Sequence, residues 1–210
     1  MECCGLTDAQ APHLVELLPS LPALALLELS NNPLGDAGAQ AVLGAARGRV
    51  KSLKLNGVGM TAASLPAAGD FASAVAAGRL ELASNDLWEP GEECPLTQSF
   101  CAACGSSTGL KALQLNNTRL QPSQLEHVAR MVSSALALET LVLVDVGMAH
   151  RFAKLGPENP LLSAFRCETC RVRRVDVSFK EYPDLWQAFI TAAKRKGKDK
   201  GKDKGKGKGK

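Results

Sequence analysis

Residues 24–34 read LALLELSNNPL, and the spacing of their leucines decides the fold. The pattern is L-x-x-L-x-L-x-x-N-x-L, with Asn32 in the asparagine position. The same frame begins again, with aliphatic substitutions, at Val50, Ala77, Leu110, Leu138 and Val172. These starts lie 26, 27, 33, 28 and 34 residues apart. Six copies in register indicate an internal repeat that spans roughly residues 6–193.

Each copy predicts a strand followed by a helix. In x-L-x-L-x the side chains alternate across a strand, so the leucines face one way and the x positions the other. Helical signals follow: Asp36 and Thr61 are predicted N-caps, and Pro122 predicts the first turn of a helix through Ser134. Strand–helix alternation requires parallel strands, and stacking closes the core. We expect one buried column of Leu27, Leu53, Leu82, Leu113 and Leu141.

The six copies resemble leucine-rich repeats of the ribonuclease-inhibitor-like class. That class includes ribonuclease inhibitor, the sensing domains of NOD-like receptors and Ran GTPase-activating protein. The resemblance implies an α/β fold, a leucine-rich-repeat solenoid that forms a short curved arc. Its parallel strands line the concave face and its helices the convex face. The asparagine position departs from the pattern at Val58, Thr118, Val146 and Lys180, where we expect looser turns.

The two ends of the repeat region differ from its middle. Residues 6–9 align with residues 34–37, so residues 6–19 resemble the helical half of a repeat without its strand. This helix either caps the solenoid or follows earlier repeats of a longer array. We predict a leucine-rich-repeat domain over residues 1–193, with about six repeats, this half-repeat and a C-terminal helical cap. Residues 194–210 are predicted to be a disordered Lys/Gly tail, because they contain no apolar residue.

Charge divides the chain into an acidic body and a basic tail. The formal net charge is +4, but residues 194–210 hold ten basic and two acidic residues and therefore carry +8. The remaining residues carry −4. Lysines can neutralise phosphates and release counterions, so the tail predicts weak association with nucleic acid or another polyanion. The candidate residues are Lys194, Arg195, Lys196, Lys198 and Lys200.

The resemblance implies that the outward residues of the strands bind a protein partner. Charges of both signs are mixed there, which argues against nucleic acid in the concave groove. Trp88, in a longer repeat beside several acidic residues, is either an interface residue or packs on the neighbouring helix. The candidate partner-binding residues are Glu28, Ser30, Lys54, Asn56, Arg79, Glu81, Gln114, Asn116, Val142, Arg174, Asp176 and Trp88.

Catalysis has little support in the sequence. It contains no phosphate-cradling glycine loop, no G-x-S-x-G motif and no metal-binding histidine spacing. We therefore predict no enzymatic activity and no cofactor. An alternative function is GTPase activation resembling that of Ran GTPase-activating protein, for which Asn116 and Asn117 are candidate residues. Two Cys-x-x-Cys pairs occur, Cys101/Cys104 and Cys167/Cys170. They are buried core residues, zinc ligands or thiols with a redox role.

Three features of the sequence bear on location and assembly. The start lacks the basic and apolar regions of a signal peptide, and no apolar run approaches the ~20 residues that span a bilayer. Seven cysteines without a disulfide spacing favour a reducing compartment. We predict a cytoplasmic or nuclear protein without a transmembrane segment. It is expected to be a monomer or part of a larger assembly, with a partner that the sequence does not identify.

Overall fold

The computed structural model of this protein describes residues 2–91, 93–144 and 158–177. The expected C-terminal cap lies outside the described residues, and so does the tail at 194–210. The five tail residues proposed for polyanion binding therefore remain predictions.

The six strands of the described residues form one parallel sheet. They follow each other in chain order from β1 to β6, and each pairs in parallel with the next. This order arises because each repeat adds its strand beside the one before it. The strands are β1 (Leu26–Glu28), β2 (Ser52–Lys54), β3 (Gly78–Glu81), β4 (Leu110–Gln114), β5 (Thr140–Leu143) and β6 (Arg174–Val177).

The described helices lie between the strands and cover one face of the sheet. Neighbouring helices pack against each other in chain order. Short 3₁₀ helices, Leu18–Ser20 and Ala62–Ser64, extend the first helix and precede the third. The α-helices are α1 (Ala11–Leu17), α2 (Gly35–Ala46), α3 (Leu65–Ala74), α4 (Pro95–Ser106), α5 (Pro122–Ser134) and α6 (Pro160–Arg166). Parallel strands, each followed by a helix, confirm the α/β solenoid predicted from the repeat.

The buried leucines form two columns across the sheet, and one predicted member was wrong. Leu80, rather than Leu82, pairs with Leu53 and Leu113. Leu82 lies two residues further along the chain, and its N–H donates to the Gln114 carbonyl. Because a strand repeats every two residues, that shift keeps Leu82 buried but moves it to the next column. The first column is Leu27, Leu53, Leu80, Leu113, Leu141 and Val175.

Two buried asparagines bind the turns of adjacent repeats together. The side-chain oxygen of Asn85 accepts hydrogen bonds from the N–H groups of Val58 and Met60, both at 3.1 Å. Its amide nitrogen donates to the carbonyl of Leu55 and to those of Leu82 and Ala83. Each asparagine thus satisfies buried backbone groups that the turn leaves without partners.

The N-terminal segment occupies the place of the preceding repeat's turn. The Asn32 side-chain oxygen accepts hydrogen bonds from the N–H groups of Cys4 and Leu6, both at 3.0 Å. Cys4 and Leu6 therefore hold the same positions relative to Asn32 that Val58 and Met60 hold relative to Asn85. The segment is followed by a helix, Ala11–Leu17, and the half-repeat remains a prediction.

The predicted helix starts were partly correct. Helix α5 covers Pro122–Ser134 as expected, and the Thr61 hydroxyl accepts from the N–H of Ala63 as an N-cap. Asp36 was wrong as an N-cap, because α2 begins at Gly35 and its N-cap residue makes no side-chain bond. The Asp36 carboxylate instead accepts hydrogen bonds from Thr61 and Ser64 of the following repeat.

Candidate functional site

The outward residues of the strands form ordered rows across the sheet. Strand register places six predicted partner-binding residues in one row, in which each lies next to its neighbour on the adjacent strand. Arg79 and Arg174 lie in the next row, which also contains Ala112 and Thr140. The six-membered row is Glu28, Lys54, Glu81, Gln114, Val142 and Asp176.

Ion pairs connect the first three strands of this surface. The Lys54 ammonium nitrogen lies 3.0 Å from a Glu28 carboxylate oxygen and 3.9 Å from one of Glu81. Arg79 Nη1 lies 3.2 Å from the other Glu81 oxygen. Glu81 is only 5% exposed, so its charge is balanced by two cations rather than by water. The ion pairs link these four side chains in the unbound chain.

The pKa values of this network favour its charged form. Burial would raise the pKa of Glu28, but hydrogen bonds from Ser30 and Lys54 outweigh it, and the pKa is lowered. The pKa of Lys54 is raised, first by its hydrogen bond to Glu28 and then by the charge of Glu81. Both groups therefore remain ionised at neutral pH.

Polar residues at the strand ends are partly committed to the sheet itself. Ser30 is buried, and its hydroxyl accepts from the N–H of Asn56 at 3.2 Å. Asn56 donates to Glu81 at 3.3 Å and accepts from Ala83 at 2.8 Å. The Asn116 side chain accepts from the N–H of Val144 at 3.2 Å. These residues shape the surface and keep only part of their polar atoms available.

The remaining part of the concave surface, on β4 and β5, is less charged. Gln114 and Val142 are half-buried and uncharged, and in the row they lie between Glu81 on β3 and Asp176 on β6. Arg174 and Asp176 are both exposed. The structure thus gives the surface two halves, an ordered ionic half on β1–β3 and a neutral half on β4–β5.

Trp88 does not belong to this surface, and its assignment as a partner-binding residue is corrected. The side chain is 8% exposed, and its indole N–H donates a 3.0 Å hydrogen bond to the Thr118 hydroxyl. An indole that is buried and paired within the chain offers no area to a partner. Of the two interpretations of Trp88, the structure shows the packing one.

The two Cys-x-x-Cys pairs are separated by helix α5. Cys101 and Cys104 are buried on α4, whereas Cys167 and Cys170 follow α6. Burial raises the pKa of the Cys101 thiol to about 12, and it also raises that of Cys104. The described residues contain no group of three or more His, Cys, Asp or Glu side chains suited to a metal ion. Cys101 and Cys104 therefore act as small apolar core residues.

A lateral charge pattern was missed at the sequence level. Basic residues recur just before the strands, as with Lys51 before β2 and Arg173 before β6. The signal was present in the sequence, but only the parallel stacking brings these positions to one edge.

In the described part of the chain, no helix is both long and apolar enough to cross a membrane.

Known proteins resemble this chain in both sequence and fold. Ribonuclease inhibitor from Sus scrofa is 32% identical over 190 residues, and that from Mus musculus is 31% identical over 190 residues. Each alignment covers 88% of this chain but only 41% of the relative, so the chain spans less than half the length of these relatives. No protein-family model matches the chain.

A solved structure supports the fold independently. The C-terminal domain of tropomodulin from Caenorhabditis elegans superposes with a TM-score of 0.53 at 11% identity, covering 88% of this chain and 92% of that one. At that identity the likeness concerns the fold alone. The repeat frame, the parallel sheet and the sequence relatives agree, and the chain is a leucine-rich-repeat protein of the ribonuclease-inhibitor-like class.

Proposed function

We propose that this protein is a non-enzymatic interaction module that binds another protein through the concave surface of β1–β6. The proposal is carried by one observation: a continuous row of outward side chains whose ionic half is already fixed by Lys54 and Glu81. Side chains that are ordered before binding lose little conformational entropy when a partner docks.

The size of the sheet fits a protein surface. Six strands at ~4.8 Å spacing form an arc on the order of 25 Å across, which is the scale of one side of a modest interface. The neutral half around Gln114 and Val142 offers the area that is cheapest to desolvate. The ionic half supplies orientation, since fixed charges of alternating sign accept only a complementary pattern.

The first partner class to test is a ribonuclease. This choice comes from the name of the relatives, ribonuclease inhibitor, and it is a proposal because the chain spans only 41% of their length. Activation of a small GTPase remains a prediction without a specific supporting contact. A cytoplasmic or nuclear location also remains a prediction.

The test uses substitutions that keep every member of the ion network. Reversing Glu81 would leave a buried charge beside other charges and unfold the sheet, so the variant Gln114→Arg with Val142→Glu is preferred. The control, Gln98→Arg with Ala102→Glu, places the same charges on the exposed face of α4. Binding of the full chain to a panel of ribonucleases is measured by surface plasmon resonance, after circular dichroism shows both variants folded.

We expect the concave variant to weaken ribonuclease binding by at least tenfold and the α4 control to leave it unchanged. Equal losses in both variants, or a loss in neither, would contradict the assignment of the concave surface. If no ribonuclease binds, that partner class is rejected, and the same pair of variants then locates the surface for any purified protein partner.

A further inference from the structure

One lateral edge of the solenoid is strongly basic, and it adjoins the concave surface proposed above, with which it shares Arg79 and Arg174. This edge, which we call the basic edge, consists of residues 47–51, 75–79, 107–111, 135–139 and 166–174, where each helix leads into the next strand. The first of these segments carries three basic residues, Arg47, Arg49 and Lys51, and all three are exposed.

The middle segments add two more cations and the last adds four. Arg79, near the start of β3, and Lys111, near the start of β4, are the basic residues of the middle segments. Residues 166–174 contribute four exposed arginines, at positions 166, 171, 173 and 174. Against these nine basic residues the basic edge holds two acidic ones, Glu139 and Glu168.

Backbone hydrogen bonds prove that these positions are neighbours. The N–H of Arg79 donates to the Lys51 carbonyl, and the N–H of Glu139 donates to that of Lys111. The N–H of Arg173 in turn donates to the Glu139 carbonyl. From β2 to β6 there are four strand steps of ~4.8 Å, so the cations extend over about 19 Å.

Most of these cations have no acidic partner among the described residues. Lys111 lies 3.5 Å from Glu139, and Arg79 pairs with Glu81. The other seven make no ion pair with any residue in the ranges that the structure describes. An uncompensated row of charges repels itself, so its presence costs stability unless a ligand neutralises it.

The structural explanation for such cations is weak here. Basic residues stabilise the negative end of a helix, but this effect falls off within the last turn. Only Arg166 lies in the last turn of its helix, α6. Helix α2 has no basic residue in its last turn, and Arg49 and Lys51 lie beyond its end.

The opposite edge carries the opposite sign. There the described parts of the strand-to-helix loops contain the acidic residues Asp86, Glu89, Glu93 and Glu158, with Arg119 as their one basic residue. The described part of the body is therefore dipolar across its width, and a polyanion approaching it from solution is oriented towards the basic edge.

We propose that the basic edge binds the phosphate backbone of a nucleic acid. Seven of the nine cations are arginines, whose planar guanidinium groups bind phosphate oxygens in pairs. A length of about 19 Å matches five to six phosphates of one strand at ~3.4 Å per phosphate. All four aromatic side chains of the described residues are buried, so the edge offers no platform for base stacking, and binding is independent of sequence.

An acidic protein is the competing partner, and the composition disfavours it. Protein interfaces depend on buried aromatic or apolar anchors. Among the described large apolar residues, only Leu136 is exposed on the basic edge, at 51%. Cations without apolar anchors suit a polyanion better than a folded protein surface.

The experiment neutralises two edge arginines and compares them with two elsewhere. The edge variant is Arg49→Gln with Arg173→Gln. The control is Arg119→Gln with Arg130→Gln, on the opposite edge and on α5. All four residues are exposed, both variants lose two charges, and the basic tail is unchanged in each. Fluorescence anisotropy of the full-length chain with a labelled 30-nucleotide single-stranded RNA is measured between 50 and 200 mM NaCl.

We expect the edge variant to bind about 25-fold more weakly than the parent at 0.1 M salt, because each released counterion contributes about fivefold. The slope of log K against log salt should become less steep by about 1.4, and the control should match the parent in both quantities.

The proposal is overturned if the parent does not bind the RNA, or if both variants behave alike. It is also overturned if poly-glutamate of equal charge competes as well as unlabelled RNA, since the edge would then serve acidic proteins.

Discussion

The indole N–H of Trp88 donates a 3.0 Å hydrogen bond to the hydroxyl of Thr118, which itself donates at 2.8 Å to the carbonyl of Leu115. Thr118 stands in the asparagine position of its repeat, and Trp88 belongs to the repeat before it. Threonine has too few polar atoms to repeat the bonds of Asn85, so the tryptophan side chain supplies the contact between these two repeats.

Removing the Thr118 hydroxyl should destabilise the protein by about 1–3 kcal/mol. Thr118→Val keeps the shape of the side chain but leaves the Trp88 indole N–H and the Leu115 carbonyl without this partner in a buried site. The free energy of unfolding is measured by urea denaturation. Thr118→Ser retains the hydroxyl and is the control, with an expected loss below that of the valine variant. Equal losses in both variants would show that the hydrogen bond does not matter.

Asn85→Leu should cost more than about 3 kcal/mol in unfolding free energy. The substitution leaves the buried N–H groups of Val58 and Met60 without their acceptor, and each such loss costs about 1–3 kcal/mol. Asn85→Thr is the matched comparison, because a hydroxyl at this position can still donate to the Leu82 carbonyl, as Thr118 does to Leu115. Chemical denaturation that ranks the threonine variant at or below the leucine variant would contradict this account.

The free energy of unfolding should depend on pH through the carboxyl group of Asp36. Burial alone would raise the pKa of its carboxyl group, but hydrogen bonds from Ser64 and Thr61 lower it below the ordinary value of 3.8. A group with a lowered folded-state pKa contributes stability above its unfolded pKa and loses it as pH falls through the folded one.

The parent chain should therefore exceed Asp36→Asn in unfolding free energy at pH 7, and the difference should shrink as pH falls below about 3.9. Urea denaturation of both chains at pH 7, 5 and 3 measures it. A difference that is constant with pH would show that the Asp36 charge has no role.

Two glycines with different surroundings should respond to alanine in opposite ways. A Cβ added at Gly109 would lie 1.7 Å from the Val75 carbonyl oxygen, which belongs to the adjacent repeat's backbone. Gly44 lies inside α2, and a Cβ there meets no atom within 4 Å.

Gly109→Ala should therefore destabilise by about 1–3 kcal/mol or more, because the backbone must move. Gly44→Ala should stabilise by up to about 1 kcal/mol, because alanine favours the helix. Thermal unfolding of the two variants measures both signs, and a stabilised Gly109→Ala would refute the close approach.

The amino-acid sequence by itself determined the repeat, the parallel order of strands and the helix from Pro122 to Ser134, because all three depend on periodicity along the chain. It also placed Glu28, Lys54 and Glu81 on one outward surface, since alternation within a strand is a local property. The column assigned to Leu82 was wrong, because Leu80, two residues earlier, occupies that place. The prediction that Leu82 is buried was correct.

The tertiary structure alone decided the contacts between repeats. Asp36 binds Thr61 rather than its own helix, Trp88 binds Thr118 rather than a partner, and Lys51, Lys111 and Arg173 meet on one edge. These residues are 25 to 122 positions apart along the chain. Their proximity follows from how adjacent layers stack, and the pattern within a single repeat does not contain that information.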